Sequence, residues 1–367
     1  QLIMRSLLGC ALLVALVCLS AAETSSTVKV GPRLAQFLAQ GERDHNLPLR
    51  NSIPVDGGSN EETTAIWVLF RSKCADNSAS KTLSDRAILR RAKHGFTTDE
   101  SDRPLCQDWK HQLSQAFKAL QHTPVLRGES HWLNAVSLNV AISELREAIY
   151  ILHRLPFVAE VEVVGRLIRD SVPLSDEEEH MDTVTRVNLL EKVESSLNVK
   201  QEDQVKSTLE NYQQRAEKRA TLDLDYGTSF SQLDRMGIPA MHRQGLDGTG
   251  VIISVLDSGF NRAHESLRDL HVVAAWDFVH NDSNVGDEGA GEARDSHHGT
   301  GTWSNIGARK SGQLYGASFN ASYILCKTED AKLEYAAEED FFVRAIEYSE
   351  NYGADILSAS LGYMDWH

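Results

Sequence analysis

Apolar and polar positions divide the chain into two structured regions with a charged segment between them. The first region, residues 63–168, combines apolar and aromatic runs typical of strands with apolar residues at helical spacing. In order, its predicted elements are a strand at 65–70, helices at 83–93 and 108–121, a strand at 131–140, a helix at 143–155 that Ser143 caps, and a strand at 158–164. This order predicts a small α+β domain, an open-faced sandwich of the ferredoxin-like kind.

The second region, residues 226–367, has short apolar runs with an amphipathic helix among them. Positions 251–256 are apolar almost throughout, as expected for a strand buried on both faces of a parallel sheet. The other predicted elements are strands at 321–327 and 355–361 and a helix at 338–351. Gly353 stands just past that helix, where a left-handed residue ends many helices. The pattern predicts an α/β fold, a parallel sheet flanked by helices.

The segment between the two regions, residues 169–225, has the character of a charged linker. Four consecutive acidic residues occupy positions 176–179. Val205, Leu209 and Tyr212 fall at helical spacing, so part of the linker is predicted to be helical. Because it joins two regions of different composition, it is the natural place for a processing site.

The first 22 residues have the order of a secretory signal peptide. Arg5 precedes an apolar run at 7–19, and small residues at positions 20 and 22 favour cleavage before Glu23. The run is shorter than a membrane-spanning helix usually requires. The alternative to a cleaved signal peptide is a short N-terminal anchor. We therefore expect a secreted protein without a stable membrane span. Residues 23–62 are interpreted as a leader with little core of its own.

Charge and cysteine content narrow the class of protein. The formal net charge of −15 at pH 7 argues against nucleic acid as a partner, because phosphates favour Lys and Arg. Beyond the signal segment, Cys74 and Cys106 could pair in an oxidising compartment. Cys326 lies in an apolar run and is predicted to be a buried thiol.

Two polar residues lie at positions where proteins with parallel sheets often have functional groups. Asp257 closes the strand predicted at 251–256, and functional groups gather at the carboxyl ends of such strands. His298 begins a stretch compatible with a helix, whose N-terminus would favour a neutral imidazole at rest. Taken singly, such an Asp is more often a turn residue or helix cap, and such a His a loop residue or metal ligand.

Five motifs in order resemble those of the subtilases, the subtilisin-like serine proteases. They are GTGV at 248–251 leading to VLDSG with Asp257, HESL at 264–267, HGT with His298, GQLYGA at 312–317, and SLG at 360–362. The order Asp, His, then Ser separates this family from chymotrypsin-like and α/β-hydrolase enzymes. Three upstream segments resemble the propeptide of secreted subtilases: LSDRAILRRAKHG at 83–95, SHWLNAVS at 130–137 and LPFV at 155–158.

The resemblance implies a serine endopeptidase in precursor form. Asp257 would orient His298, which would carry the proton while a Ser attacked the peptide carbonyl to form an acyl-enzyme. Ser360, Leu361 and Gly362 would form a strand that pairs with the backbone of protein or peptide substrates. The implied order is a signal peptide at 1–22, a leader at 23–62, an inhibitory propeptide at 63–168, a linker with a processing site at 169–225 and the N-terminal part of the catalytic domain at 226–367.

The sequence also departs from the family pattern. Gly301 replaces a second His that usually follows the first by three residues, and Ser266 replaces an Asp that can bind calcium. We therefore expect no cofactor for catalysis and no metal ligands, while structural calcium lacks a clear motif. The acidic loop at 282–295 is more simply a solvated loop than a calcium site.

The nucleophile is the largest departure. No GTSMA-type Ser motif and no oxyanion-hole Asn motif is found in the 367 residues, so this chain itself is expected to be inactive. We interpret the sequence as a fragment of a protease precursor, in which both residues would follow His367. The alternative function is a non-catalytic, secreted protease inhibitor or binding protein that uses the propeptide-like domain.

Overall fold

The computed structural model describes residues 28–32, 34, 35, 38, 62–73, 83–164, 224–287, 296–330 and 338–360. Within these ranges the chain forms a five-stranded sheet at residues 29–163 and a four-stranded parallel sheet at residues 252–359. We call the parts built on these sheets the N-terminal domain and the C-terminal domain. The signal-like segment and the charged linker lie outside the described residues.

The sheet of the N-terminal domain is mixed. Its strands are β1 (Lys29–Val30), β2 (Thr63–Phe70), β3 (Val125–Ser130), β4 (Ala135–Ala141) and β5 (Val158–Val163). They lie in the spatial order β1-β5-β2-β4-β3, with β2 antiparallel to both neighbours and β1 parallel to β5. The helices are α1 (Asp85–Lys93), α2 (Gln107–Ala116) and α3 (Leu145–His153). Leu113 of α2 and Leu152 of α3 share one buried core with Ile66 and Val68 of β2, as the α+β prediction requires.

Two local predictions in this domain are wrong. The single strand expected at 131–140 is a turn followed by β4, because Asn134 adopts a left-handed conformation with φ of 51°. The Asn134 amide also donates to the carbonyl oxygens of Phe70 and Ser72, at 3.0 and 2.9 Å. Ser143 does not cap α3, since it lies in a short 3₁₀ turn, Ile142–Glu144, that precedes the helix.

A short piece of the expected leader packs onto this domain. Leu34 is fully buried and Val28 nearly so, and both belong to the core under the sheet. The backbone N–H of Leu34 donates to Glu162 of β5 at 2.7 Å. These contacts were not predicted, because residues 23–62 were expected to be a leader with little core of its own.

The C-terminal domain has the α/β architecture that the sequence predicts. Its strands are β6 (Ile252–Asp257), β7 (His271–Asp277), β8 (Arg309–Lys310), β9 (Leu314–Tyr315), β10 (Ser322–Lys327) and β11 (Ile356–Ala359). The main sheet has the order β11-β6-β10-β7, with all described pairs parallel. The helices are α4 (Phe230–Arg235), α5 (Ile238–Arg243), α6 (Ser296–Gly307) and α7 (Glu339–Tyr352). Strand β7 was not predicted, because its residues are only partly buried and show no clear pattern.

Helices α6 and α7 cover opposite faces of the parallel sheet. Trp303 of α6 packs with Val255 and Leu325, whereas Phe341 and Ala345 of α7 pack on the other face of the sheet. Strand β6 is buried along its whole length, as predicted for a strand covered on both sides. Gly353 ends α7 with φ of 80°, the left-handed cap that the sequence predicts. Among the described residues, no helix combines the length and apolar character needed to cross a bilayer.

The two cysteines among the described residues differ in state. Cys106 is disulfide-bonded, and its partner lies outside the described residues, as does Cys74. Cys326 is a free thiol with no exposed surface, as predicted, and its burial raises the thiol pKa to about 12. A thiol with so high a pKa is not a nucleophile at neutral pH.

Candidate active site

Asp257 is the last residue of β6, an interior strand of the parallel sheet, and its side chain has no exposed surface. Because charged groups are rarely buried without partners, the donors around it define its role. The Asp257 Oδ1 atom accepts hydrogen bonds from the backbone N–H of Ser258 at 2.7 Å and from its hydroxyl at 3.2 Å. The other oxygen, Oδ2, accepts the hydroxyl of Thr302 at 2.9 Å. These bonds hold the carboxylate in one orientation.

His298 lies in the first turn of α6 and completes the set of donors. Its Nδ1 atom is 2.8 Å from Asp257 Oδ1. Since an ionised carboxylate can only accept, Nδ1 carries the proton and Nε2 is left with a lone pair. The His298 side chain is 60% exposed, whereas its carboxylate partner is completely buried. This combination of an accessible base and a buried orienting group suits general acid–base catalysis.

Two glycines allow helix α6 to approach the end of β6. A Cβ atom at Gly299 would lie 2.2 Å from the carbonyl oxygen of Gly259 and 2.9 Å from Asp257 Oδ1. Gly259 itself has φ of 138°, a conformation that side chains other than hydrogen rarely adopt. Gly259 ends the VLDSG motif and Gly299 is the second residue of the HGT motif. The close approach of α6 to β6 explains why both motifs have glycine at these positions.

The pKa of His298 is raised above its ordinary value. The largest cause is the hydrogen bond to Asp257, which partial burial opposes, and the charges of Asp257 and Glu329 add to the rise. The position of His298 at the N-terminus of α6 predicts a neutral imidazole at rest. The contact with the carboxylate outweighs that effect, because a helix terminus acts weakly at exposed positions compared with a direct charged hydrogen bond.

The start of helix α6 is fixed from two loops. The backbone N–H of Ser296 donates to Asp287 at 2.8 Å, and the backbone N–H of Asn261 donates to the hydroxyl of Thr300 at 2.8 Å. A cavity of about 390 Å³ lies beside this helix start, lined by residues 260–263, 283–287 and Ser296. Neither Asp257 nor His298 lines this cavity.

The other predicted site residues are only partly described. His297, next to His298, is exposed, and its side chain makes no hydrogen bond to another described residue. Ser360 is exposed directly after β11, which is an edge strand among the described residues. Leu361 and Gly362 lie outside the described residues, so the substrate strand stays a prediction.

No metal site emerges in the part of the chain that the structure describes, where no three His, Cys, Asp or Glu side chains converge. Ser266, at the position of a possible calcium ligand in the family, hydrogen-bonds His264 at 2.9 Å. In the acidic loop, Asp282 and Asp287 accept backbone N–H groups of this loop and of α6, at 2.7 and 2.8 Å. Residues 288–295 of that loop lie outside the described residues.

A second set of charged contacts joins the two domains across helix α7. Arg127 of β3 donates to both oxygens of Asp340, at 2.7 and 2.8 Å, and its guanidinium lies 4.6 Å from the centre of the Phe341 ring. Arg91 of α1 pairs with Glu350 at 2.7 Å. The sequence alone does not predict these contacts, although Asp340, Glu347 and Glu350 have the spacing of residues on one face of a helix.

Glu347 of α7 is the centre of this contact. Its carboxylate accepts the backbone N–H groups of His131 and Trp132, at 3.0 and 3.2 Å, and also the hydroxyl of Ser130. Glu347 is 3% exposed, so this carboxylate is buried among donors of the other domain. The turn after β3 therefore binds a fixed acidic residue of the C-terminal domain.

Two regions of the chain match models of known protein families. Residues 65–180 match the Peptidase S8 propeptide domain of Bacteroidota, and residues 248–366 match the Subtilase family. The chain is 29% identical over 131 residues to subtilisin amylosacchariticus of Bacillus subtilis subsp. amylosacchariticus, which covers 35% of this chain and 32% of that protein. Subtilisin E of Bacillus subtilis (strain 168) is 28% identical with the same coverage. The chain thus spans about a third of the length of these subtilisins.

Among solved structures, the chain is similar to fervidolysin from Fervidobacterium pennivorans, described as a keratinolytic enzyme related to subtilisin. The TM-score is 0.38 and the identity 14%, covering 83% of this chain and 36% of that one.

A buried Asp at the end of an interior parallel strand is hydrogen-bonded to an accessible His on the next helix of an α/β domain, the arrangement of a base and its orienting carboxylate. The two matching regions make the family specific. Residues 65–180 and 248–366 thus have the order of a subtilisin-like protease precursor, in which a propeptide domain precedes a region of the Subtilase family.

Proposed function

We propose that the protein is a serine endopeptidase of the subtilisin type, in which Asp257 and His298 are two members of the catalytic triad. The observation that carries the proposal is the 2.8 Å contact between His298 Nδ1 and the buried carboxylate of Asp257. The alternatives for single residues, a helix cap for the Asp and a metal ligand for the His, do not require this contact.

In the proposed mechanism, His298 Nε2 takes the proton of a Ser hydroxyl as the oxygen attacks the peptide carbonyl. The imidazolium then returns that proton to the leaving amine, and an acyl-enzyme remains for water to hydrolyse. Asp257 keeps the Nδ1 proton in place and stabilises the imidazolium while the proton is on His298. The raised pKa of His298 is consistent with that stabilisation.

We place the nucleophilic Ser and the oxyanion-hole Asn outside the 367 residues. No GTSMA-type motif occurs in the sequence, and no serine hydroxyl in the described ranges hydrogen-bonds His298. Ser258 is near, but its hydroxyl donates to Asp257. The 367-residue chain is therefore proposed to have no peptidase activity of its own, and catalysis requires a full-length version of the gene.

Protein or peptide substrates would add to the C-terminal domain as an extra strand. Strand β11 has one neighbour, β6, among the described residues, and Ser360 follows it directly. An edge strand offers unpaired N–H and C=O groups to an extended peptide. We propose that Ser360, Leu361 and Gly362 supply these groups, that no cofactor is required for the chemistry, and that the protein acts outside the cell after export by residues 1–22.

The N-terminal domain is proposed to inhibit the C-terminal domain within the same chain. The support is its docking on α7, where Arg127, Ser130 and His131 bind Asp340 and Glu347. The same surface supports the alternative function, an inhibitor without catalysis of its own. Both proposals predict that this domain binds a mature protease, but only the first predicts hydrolysis by the full-length protein.

The catalytic proposal is tested with Asp257→Asn in a full-length version of the gene. The variant should fold but lose about 10⁴-fold in kcat, because the His tautomer is no longer fixed. Hydrolysis of a peptide substrate is the measurement, and Asp269→Asn, at an exposed position, is the control. Activity of Asp257→Asn within tenfold of wild type would remove Asp257 from the mechanism.

The inhibitory proposal is tested by adding the purified N-terminal domain, residues 23–168, to the mature full-length protease. Inhibition is expected at micromolar concentrations, and Arg127→Gln should weaken it, since Asp340 would be left buried without its partner. No inhibition by a folded domain at tens of micromolar would disprove an inhibitory role, while leaving the catalytic proposal intact.

A further inference from the structure

Helix α6 holds the carboxylate of Asp257 at both oxygens. His298 contacts Oδ1 at 2.8 Å, and the hydroxyl of Thr302 donates to Oδ2 at 2.9 Å. The Ser258 donors also go to Oδ1. Within the described ranges, Thr302 is therefore the single hydrogen-bond donor to Oδ2, on a carboxylate with no exposed surface.

The sequence explains this two-point contact. Thr302 follows His298 by four residues, a spacing that places both side chains on one face of a helix. A Thr side chain is short, so its hydroxyl reaches the carboxylate only if the helix lies close to the end of β6. Gly299 permits that approach, because any Cβ there would collide with the Gly259 carbonyl oxygen at 2.2 Å.

The Thr302 hydroxyl has one hydrogen and two acceptors within reach. Besides Asp257 Oδ2 at 2.9 Å, the carbonyl oxygen of Gly299 lies 3.0 Å away. Hydrogen bonds to an ionised acceptor are roughly twice as strong as those between neutral groups. A Thr hydroxyl inside a helix often donates to a backbone carbonyl oxygen three or four residues earlier, as Gly299 O would allow here. That carbonyl oxygen is neutral, so it is the weaker acceptor of the two. The hydrogen therefore goes to the carboxylate.

We propose that Thr302 is a positioning residue for the Asp257–His298 pair: its hydroxyl fixes the carboxylate and limits how strongly that carboxylate stabilises the charged form of His298. This inference rests on the proposed function for its catalytic meaning, although the contact itself is independent of hydrolysis. Thr302 acts through Asp257 and touches no reacting atom.

The expected effect has a definite direction. Without the Thr302 hydroxyl, Oδ2 has no donor from the described residues, and more of the negative charge is available to the imidazolium. The groups that raise the pKa of His298 by charge are Asp257 and Glu329, and neither changes in the variants below. The pKa of His298 should therefore rise further when the hydroxyl is removed.

The experiment follows the His298 ring signals by NMR as a function of pH in the 367-residue chain, with the signals assigned by their loss in His298→Gln. Thr302→Val, which keeps the shape of the side chain, and Thr302→Ala should both titrate at a higher pH than wild type. Thr302→Ser keeps the hydroxyl and should titrate as wild type does. If Thr302→Val fails to fold, the comparison of Thr302→Ala with Thr302→Ser gives the same decision.

Ser304→Ala is the matched control. Ser304 lies on the same helix, and its hydroxyl donates to the carbonyl oxygen of Gly301 at 2.7 Å, so the variant removes a similar bond without touching Asp257. The His298 titration should not move in this variant. The proposal is overturned if Thr302→Val and Thr302→Ala titrate at or below the wild-type pH, or if Thr302→Ser shifts as far as Thr302→Ala. A protein that showed the expected shifts without peptidase activity in its full-length version would contradict the proposed function alone.

Discussion

Arg127 and Asp340 form a two-pronged ion pair between the domains, with N–H···O distances of 2.7 and 2.8 Å. The Arg127 side chain is 5% exposed and that of Asp340 is not exposed at all. Asn139 also accepts from this guanidinium at 3.3 Å, and the Arg127 carbonyl accepts from Arg344 at 2.9 Å. A buried, two-pronged ion pair forms only in one relative orientation of the guanidinium and the carboxylate, so it specifies how the two domains meet.

Removing one side of this pair should be costly. Arg127→Gln leaves the Asp340 charge buried without its counter-charge, and we expect the free energy of unfolding to fall by about 3–5 kcal/mol. Urea denaturation of the 367-residue chain measures the change. Lys118→Gln removes a positive charge from an exposed position of the N-terminal domain and should change stability by about 0.5 kcal/mol or less.

The same pair can be replaced as a unit. The double variant Arg127→Met with Asp340→Leu removes both charges together and should recover most of the stability that Arg127→Gln loses, because neither member of the pair is left behind without the other. Equal stability of Arg127→Gln and wild type, within about 0.5 kcal/mol, would show that the pair does not hold the domains together.

The two adjacent histidines should differ sharply in activity. His298 contacts Asp257, whereas the His297 side chain is exposed and makes no hydrogen bond within the described ranges. In a full-length version, His297→Ala should keep most of its peptidase activity and His298→Ala should lose nearly all of it. The measurement is the rate of peptide hydrolysis by each variant. Higher activity in His298→Ala than in His297→Ala would show that the catalytic His is assigned one residue too late.

The pH dependence of activity follows from the raised pKa of His298. The neutral imidazole is the base, so activity should appear only as pH rises through this raised pKa, above the ordinary value for histidine. The sign for stability is opposite: the charged His298 stabilises the folded state below the unfolded pKa, and that contribution disappears as pH rises through the folded pKa. A kcat/KM profile in which activity falls on the acid side only below the ordinary histidine pKa would contradict the expected coupling to Asp257.

Two glycines of helix α6 provide a matched test of packing. Gly299→Ala should destabilise the fold and distort the Asp257–His298 contact, because the new methyl group would lie 2.2 Å from a backbone oxygen. At Gly301 a Cβ would meet no described atom within 4 Å apart from its chain neighbours and the backbone of its own helix. Gly301→Ala should therefore stabilise the protein by about 1 kcal/mol through helix propensity. Thermal denaturation of both variants measures this, and shifts of the same sign would contradict it.

The sequence predicted the parts of the site that depend on local chemistry. Asp257 was found because a strand ends in an acidic residue followed by Ser258 and Gly259, and His298 because a His–Gly–Thr stretch starts a helix. Burial of β6 and the glycine cap of α7 were predicted for the same reason, since each depends on a short stretch of side chains.

The remaining features depend on contacts between distant parts of the chain. Thr302 reaches Asp257 across 45 positions, and Arg127 reaches Asp340 across 213. Neither pairing has a local pattern, because the side chains meet only after the sheets have formed. Sequence spacing alone could have suggested that Thr302 shares a helix face with His298, but not that the face meets a carboxylate.

The separation between Arg127 and Asp340 also sets an order of events during synthesis. At about 5–20 residues per second, the 213 positions between them take about 10–40 s to translate. Strand β3 and the turn after it are complete long before helix α7 leaves the ribosome. The N-terminal domain can thus fold before helix α7 is synthesised. The carboxylate of Asp340 then enters a low-dielectric interface in which the Arg127 guanidinium is already in place.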